Sequence, residues 1–320
     1  MSEVASVLGP VDTGELGTTL MHEHVFTLTA DSQKQWSDEW DEDGRVAEAV
    51  DKLTELRASG VRTIVDPTVR RPRARRAAGA ADQPAGARPD HPGRHRRLHV
   101  RRRAGLLLRP WSRRDGGAAG GDEPLFVRDL TEGVQGTDVR AAFLKCAIDH
   151  HGLTKGVERI MRACAQAAQE TGAPVMVHTG LRSQTGLEVQ RVLAEEGLAP
   201  ERVLLAHSGD STDADHLSAL AEAGFLLGMD RFGVDTILGP QERLGVVVEL
   251  CRRGYAERMV LSQDAACYID GVQPDLMASL PNWTYLHVLR DVVPGLLERG
   301  VAQEQVDTML VADPLRFLQR

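Results

Sequence analysis

Tyrosine is almost missing: the chain has three, and none falls between Met1 and Gly254. Aromatic residues make up only 4% of the sequence. Cysteine is scarce too. Cys146, Cys164, Cys251 and Cys267 show no Cys-x-x-Cys spacing, which excludes a zinc ribbon or thioredoxin-like motif and fits free thiols in a reducing cytoplasm. No apolar run approaches membrane-spanning length, and the N-terminus lacks a basic-then-apolar leader pattern. Positive charge is outweighed, giving a net charge of -8, which argues against nucleic acid as a partner. What is present suits one globular domain of 320 residues, 42% apolar and 26% charged.

The stretch Thr18 to Phe26 reads as a short apolar strand containing His22 and His24. Strand side chains alternate faces, so these two imidazoles share a face, about 7 Å apart along the strand. Downstream, apolar runs alternate with helical periods. Val61–Thr68, Ala141–Ile148, Pro174–Thr179, Arg202–Ser208, Phe225–Arg231 and Met259–Ala265 read as strands. Helices are expected over 45–59, 154–170, 184–196, 213–223, 240–253, 284–298 and 302–311. Strands separated by helices imply a parallel sheet, and seven of the eight strands of a (β/α)8 TIM barrel are accounted for. An open doubly wound sheet is disfavoured because no Gly-rich phosphate turn follows the first strand.

The third β/α unit, about residues 70–121, is aberrant. It holds fifteen arginines and no lysine, and follows neither a period of two nor one of 3.6. A disordered basic insert and a nucleic-acid arm are two readings. The favoured third is frame-shifted text from a GC-rich gene, with sense resuming near Leu125, because Arg, Ala, Gly and Pro have codons beginning with two G/C bases. The missing strand falls inside this window.

Polar residues recur at the C-terminal ends of the strands, where barrels carry their functional groups. These are His22, His24, Lys145, His178, His207 and Asp264. Four imidazoles and a carboxylate suit zinc or a similar divalent ion and exceed the needs of one tetrahedral centre, so two ions are expected. An ammonium has no lone pair, but a buried lysine loses its proton readily, and the neutral amine can add carbon dioxide to become an anionic carbamate. Arg231 is a candidate for orienting the substrate's polar group or the leaving oxygen, or else a structural salt-bridge partner of Asp230 or a nearby carboxylate. His216 and His287 are expected on helix surfaces. Tyr268, Trp283 and Tyr285 either line an apolar groove or pack the last long loop.

The runs Leu20-Met21-His22-Glu23-His24-Val25, His207-Ser208-Gly209-Asp210-Ser211, Met229-Asp230-Arg231 and Ser262-Gln263-Asp264, with Lys145 and His178, resemble the phosphotriesterase family of the amidohydrolase superfamily, nearest its lactonases. The resemblance spans 1–69 and 123–320. It implies that His22, His24 and Asp264 hold a buried metal and that His178 and His207 hold a more exposed one. Carboxylated Lys145 and a hydroxide bridge the two. Zinc is the expected metal, with cobalt, manganese or iron as alternatives. The implied reaction is hydrolysis of a lactone, such as an N-acyl homoserine lactone, or of a phosphotriester, with Asp264 taking a proton. The expected partners are a small-molecule substrate and a second copy in a homodimer, with no nucleic acid and no membrane. An inactive metal-binding barrel and a TatD-like metallo-nuclease are the alternatives. The family's third strand and a lactonase tyrosine near the hydroxide would fall within 70–121.

Overall fold

Alternation within the strands sorts the apolar side chains into two cores. In the computed structural model, Phe143, Met176, Leu204, Leu226 and Val260 point into one cluster with Val4, Leu16 and Phe317. Their neighbours Leu144, Val175, Val177, Leu205, Leu227 and Leu261 point into the other, larger cluster with the helices. The first cluster fills a barrel interior; the second lies between barrel and helices. The structure describes residues 2–28, 41–68, 106–108, 110–111, 122–134, 137–180, 185–270, 272 and 274–319.

An antiparallel hairpin, β1 (Glu3–Ser6) and β2 (Gly9–Asp12), precedes the barrel. The first arm of the ring is β3 (Thr19–Leu20) with β4 (His24–Thr27), and the second is β5 (Thr63–Val65). The third is β6 (Leu106–Leu108) with β7 (Pro110–Trp111). Then come β8 (Phe143–Ile148), β9 (Val175–Thr179), β10 (Val203–Ala206) and β11 (Leu226–Met229). The eighth arm is β12 (Met259–Leu261) with β13 (Ala266–Ile269). Every neighbouring pair in these arms is parallel: Thr19 opposes Thr63, Val65 opposes Leu108, Trp111 opposes Leu144, and Met229 opposes Leu261. The ring closes where Ala266 opposes His24 and the His24 N–H donates to Ala265 O at 2.8 Å. The fold is a TIM barrel.

The helices follow from their periods. The helix Lys155–Thr171 buries Ile160, Met161, Cys164, Ala167 and Ala168 on one stripe. Thr154 caps its start by accepting from the Val157 N–H, and Gly172 at φ 70° ends it in the left-handed conformation that glycine adopts without penalty. The helix Glu42–Ala58 buries Ala49, Leu53 and Leu56 in the same way. Among the described residues no helix is long and apolar enough to cross a membrane.

Three expectations change. The first strand is not continuous: it breaks over Met21–Glu23 between β3 and β4, and His22 sits in the break. The third strand is supplied by Leu106–Leu108 and Pro110–Trp111, inside the window that showed no period; the other residues of that window lie outside those described. The last helices contain π turns at Val288–Val292 and Thr308–Ala312, and the final helical segment reaches Leu318. A helical period of 3.6 does not reveal such wider turns.

Candidate metal centre

Lys145 and His178 face inward because they lie two residues beyond Phe143 and Met176 on the same faces of β8 and β9. His207 and Asp264 lie just past the ends of β10 and β12, in left-handed conformations at φ 68° and φ 55°. Both are non-glycine residues held in a sparsely populated region, as happens where neighbouring structure fixes a functional side chain.

Three of the four histidines, His22, His24 and His207, have one ring nitrogen turned outward to a partner and one turned to the cluster. His22 Nδ1 lies 2.8 Å from Asp230 Oδ2, and its Nε2 lies 3.3 Å from Asp264 Oδ1. His24 Nδ1 lies 2.6 Å from Thr68 Oγ1 and 3.6 Å from Asp66, and its Nε2 lies 3.0 Å from the same Asp264 oxygen. His207 Nδ1 lies 3.0 Å from Asp230 Oδ1, and its Nε2 lies 2.9 Å from His178 Nδ1. The remaining His178 nitrogen is 3.9 Å from Asp149, too far for a hydrogen bond. Outer partners of this kind fix tautomer and ring orientation in metal sites and leave the inward lone pair free.

Among the described residues, two groups of side chains bring ligand atoms within 4.8 Å of one another: His22, His24 and Asp264; and His22, His207 and Asp230. In the second, Asp230 faces the Nδ1 atoms on the far side of both rings, so the carboxylate orients the two imidazoles and leaves their Nε2 atoms to the cavity. Asp230 is wholly buried and also accepts the His207 backbone N–H at 2.8 Å. Gly228 makes room for it: a Cβ there would stand 2.6 Å from Asp230 Oδ2.

Burial keeps two of the histidines neutral, as metal binding requires. Burial holds His22 neutral, down to about 3, although Asp264 pulls the other way. Burial, with His207 and Lys145 nearby, drives His178 far below the usual imidazole range. Burial also opposes a charge on His24, but the hydrogen bond to Asp264 and the nearby Asp66 carboxylate outweigh it and raise His24 to about 9. Burial likewise opposes charge on Asp264, yet His22 and His24 hold it well below the usual carboxylate range. A proton on His24 therefore occupies the place of positive charge beside Asp264. Lys145 Nζ is buried and has no hydrogen-bond partner among the described residues. Burial lowers it to about 8, against the pull of Asp230 and Asp264, so its neutral amine is accessible near neutrality. An unpartnered buried amine costs free energy, and carbamylation would convert it into a ligand.

Arg231 does not pair with Asp230. Its Nε donates to Asp264 Oδ2 at 3.0 Å and one Nη to Asp210 Oδ2 at 3.0 Å. Asp210 is held in turn by the buried Arg243, 2.7 Å from its other oxygen. His287 is buried and bonded to Asp291 rather than exposed on a helix, whereas His216 is half-buried. The aromatics are tied to backbone. Tyr285 Oη donates to His24 O, and Trp283 Nε1 lies 3.0 Å from both Gln263 O and Asp264 O. The Tyr268 ring carries the Arg45 guanidinium at 4.4 Å.

Sequence reasoning missed Asp230 as a site residue. It follows β11 directly, in the positional class of His207 and Asp264, so the same rule points to it. Asp66 and Thr68 just past β5 were missed as well, as was Glu23, whose carboxylate accepts from Ser262, Gln263 and Ala265.

A profile of the Phosphotriesterase family matches residues 2–78 and 122–318. A "Phosphotriesterase homology protein" of Mycobacterium tuberculosis is 44% identical, with 100% of this chain and 98% of that protein covered. An "Aryldialkylphosphatase" of Saccharolobus solfataricus is 32% identical, with 96% of each covered. A solved structure described as the phosphotriesterase from Mycobacterium tuberculosis superposes with a TM-score of 0.88 at 40% identity, covering 99% of this chain and 98% of that one. A barrel that carries the histidines and the aspartate near its arm ends and the lysine inside β8, together with these matches along its length, makes the chain a member of the phosphotriesterase family.

Proposed function

We propose that the chain is a binuclear metal-dependent hydrolase whose substrate is a lactone, N-acyl homoserine lactones foremost, with phosphotriesters as a second substrate class. The observation that supports this best is the set of inward nitrogens, with the His22, His24 and His207 rings held from behind, beside a buried lysine amine that has no hydrogen-bond partner among the described residues. His22, His24 and Asp264 would hold one ion and His178 and His207 the other, with Lys145 as a carbamate between them. Zinc fits imidazole and carboxylate donors; cobalt, manganese or iron would fit as well. Two such ions supply Lewis acidity: they make water ionise near neutrality and polarise a carbonyl or phosphoryl oxygen.

The chain's own groups do the rest. Asp264 is kept ionised by its neighbours and can take the proton of the attacking water at a carboxylate oxygen. Water adds to the carbonyl carbon, the bond to the ring oxygen breaks, and the proton ends on the departing alkoxide. Arg231 spans Asp264 and Asp210, and its second amino group is the donor left for a substrate oxygen. An arginine does not give up a proton, so it orients and does not relay. The homodimer and a cytoplasmic location belong to the same reading.

Reconstituting the protein with zinc or cobalt and bicarbonate, then measuring metal content and hydrolysis of lactone and paraoxon, tests the reading. Two ions per chain with lactone turnover is the expected result; no stoichiometric metal would overturn it. A second reading is favoured by the lapse of the family match over 79–121: a barrel that binds both metals and hydrolyses neither substrate.

A further inference from the structure

We infer that Glu23 is a positioning residue: its buried carboxylate grips the amides on either side of Asp264 and so aims that carboxylate at His22 and His24. The inference rests on the ligand set proposed above.

Glu23 lies between the two histidines of the first arm but points away from them, into the seam between the first and eighth arms, and has no solvent exposure. Its Oε1 accepts from the Gln263 N–H at 3.0 Å, the Gln263 Nε2 at 3.0 Å and the Ser262 hydroxyl at 2.7 Å. Its Oε2 accepts from the Ala265 N–H at 3.0 Å. Gln263 and Ala265 flank Asp264, the residue at φ 55°. Left-handed backbone is unfavourable for a residue with a Cβ, so something must hold it. One carboxylate drawing both flanking N–H groups to one side does so. The Asp264 N–H itself turns the other way and donates to His22 O at 3.0 Å.

The same seam sets His22. Its N–H donates at 2.8 Å to the Ser262 hydroxyl, which donates onward to Glu23. Both barrel arms lose their regular ladder here, over Met21–Glu23 and over Ser262–Ala265. Buried amides freed from a ladder must find other acceptors, and Glu23 supplies them. It thus serves the His22, His24 and Asp264 half of the centre and makes no hydrogen bond to His178 or His207.

The test is zinc binding by Glu23→Gln. The carboxamide keeps the shape, but one of its two positions becomes a donor facing another donor. At that position either Ala265 or the Ser262 and Gln263 group loses its acceptor. One of two zinc ions should bind about 10- to 100-fold more weakly, as is usual when an outer partner of a ligand is removed. Zinc per chain, measured against a competing chelator, should fall from two toward one. Asp264→Asn should lose the same ion, and His178→Ala the other. In Glu23→Gln carrying cobalt, the visible absorption of the remaining ion should match that of Asp264→Asn. Ser262→Ala removes one donor from the seam and one acceptor from His22; it should weaken the same ion by a smaller factor and serves if Glu23→Gln does not fold. Unchanged affinity at both sites in Glu23→Gln, or in Ser262→Ala where that is the folded variant, overturns the inference. Loss of the His178 and His207 ion instead does so too. A wild-type chain that fails to bind two ions overturns the ligand set itself.

Discussion

Asp230 carries two rings at once, and its replacement by asparagine has an outcome that the geometry fixes. The carboxylate accepts from His22 Nδ1 at one oxygen, and from both His207 Nδ1 and the His207 backbone N–H at the other. An asparagine has one acceptor and one donor end. The backbone N–H of His207 cannot change its role, so the asparagine oxygen must turn toward His207. Its amino group then faces His22 Nδ1. That nitrogen can only meet a donor as an acceptor, which moves the His22 proton to Nε2, the atom turned to the cavity. His22 is thereby lost as a ligand while His207 is kept. Removal of such an outer partner weakens a metal by about 10- to 100-fold, or about 1.4–2.8 kcal/mol. Asp230→Asn should weaken only the ion assigned to His22, His24 and Asp264, whereas Asp230→Ala should weaken both. Competition with a chromophoric chelator measures the two affinities, and nitrogen NMR of the imidazoles reads the tautomers directly. His22 still protonated at Nδ1 in the Asp230→Asn variant, with both zinc ions bound as in wild type, would refute the reasoning.

Lys145→Ala should abolish hydrolysis, and short carboxylic acids should restore part of it by standing in for the carbamate; restoration without any acid would contradict that role. Because burial lowers the Lys145 amine to about 8, reactivation of the metal-free protein by metal at a fixed concentration of dissolved carbon dioxide should speed up as pH rises toward that value and level off above it, since only the neutral amine adds carbon dioxide. A rate independent of pH from 6 to 9 would argue against it. Gly228→Ala should lower metal content without touching a ligand, because the new Cβ would stand 2.6 Å from the Asp230 carboxylate. Asp313 offers a stability test far from the centre. Burial raises it from 3.8 to about 7, with Arg316 opposing, so the folded chain keeps this proton over a range where the unfolded chain has lost it. Stability is therefore lost as pH rises between those values, and Asp313→Asn should remove the loss. The variant should be about 1–3 kcal/mol more stable than wild type at pH 8 and similar to it below pH 4, by denaturant unfolding.

The barrel was legible because its strands are apolar on both faces and punctuated by helices of clear period. The positions of Lys145 and His178 follow from counting two residues along a strand from Phe143 and Met176. The rule that polar residues gather at strand ends placed His207 and Asp264 too. What it missed has a physical cause. Asp230 obeys the same rule, but an acid beside an arginine reads as an ion pair in sequence, and only the fold shows Arg231 turning to Asp210 and Asp264 instead. Glu23 reads as the outward residue of a strand, because its burial depends on donors some 240 residues further along the chain. Tyr285 and Trp283 could line a groove or pack a loop on sequence grounds; their bonds to His24 O and to Asp264 O decide for packing.

The aberrant segment separates what the metals need from what a substrate needs. The family match stops at 78 and resumes at 122, yet the third place in the ring is filled by Leu106–Leu108 and Pro110–Trp111. A parallel ladder is built from backbone groups, so an apolar run can occupy it whatever its origin; Pro110 merely removes one donor. The proposed ligands come from the first, fourth, fifth, sixth and eighth arms, and none from the third. Metal binding should therefore survive in this chain even if the segment is frame-shifted text, while positioning of substrate should suffer. Replacing residues 79–121 with the corresponding segment of the Mycobacterium tuberculosis relative should leave two zinc ions per chain and raise lactone turnover. Sequencing the gene across codons 70–122 should show a shifted frame. A chimera with altered zinc content would show that the third arm shapes the metal centre after all, and one with unaltered turnover in an already active chain would show that the segment is genuine working sequence.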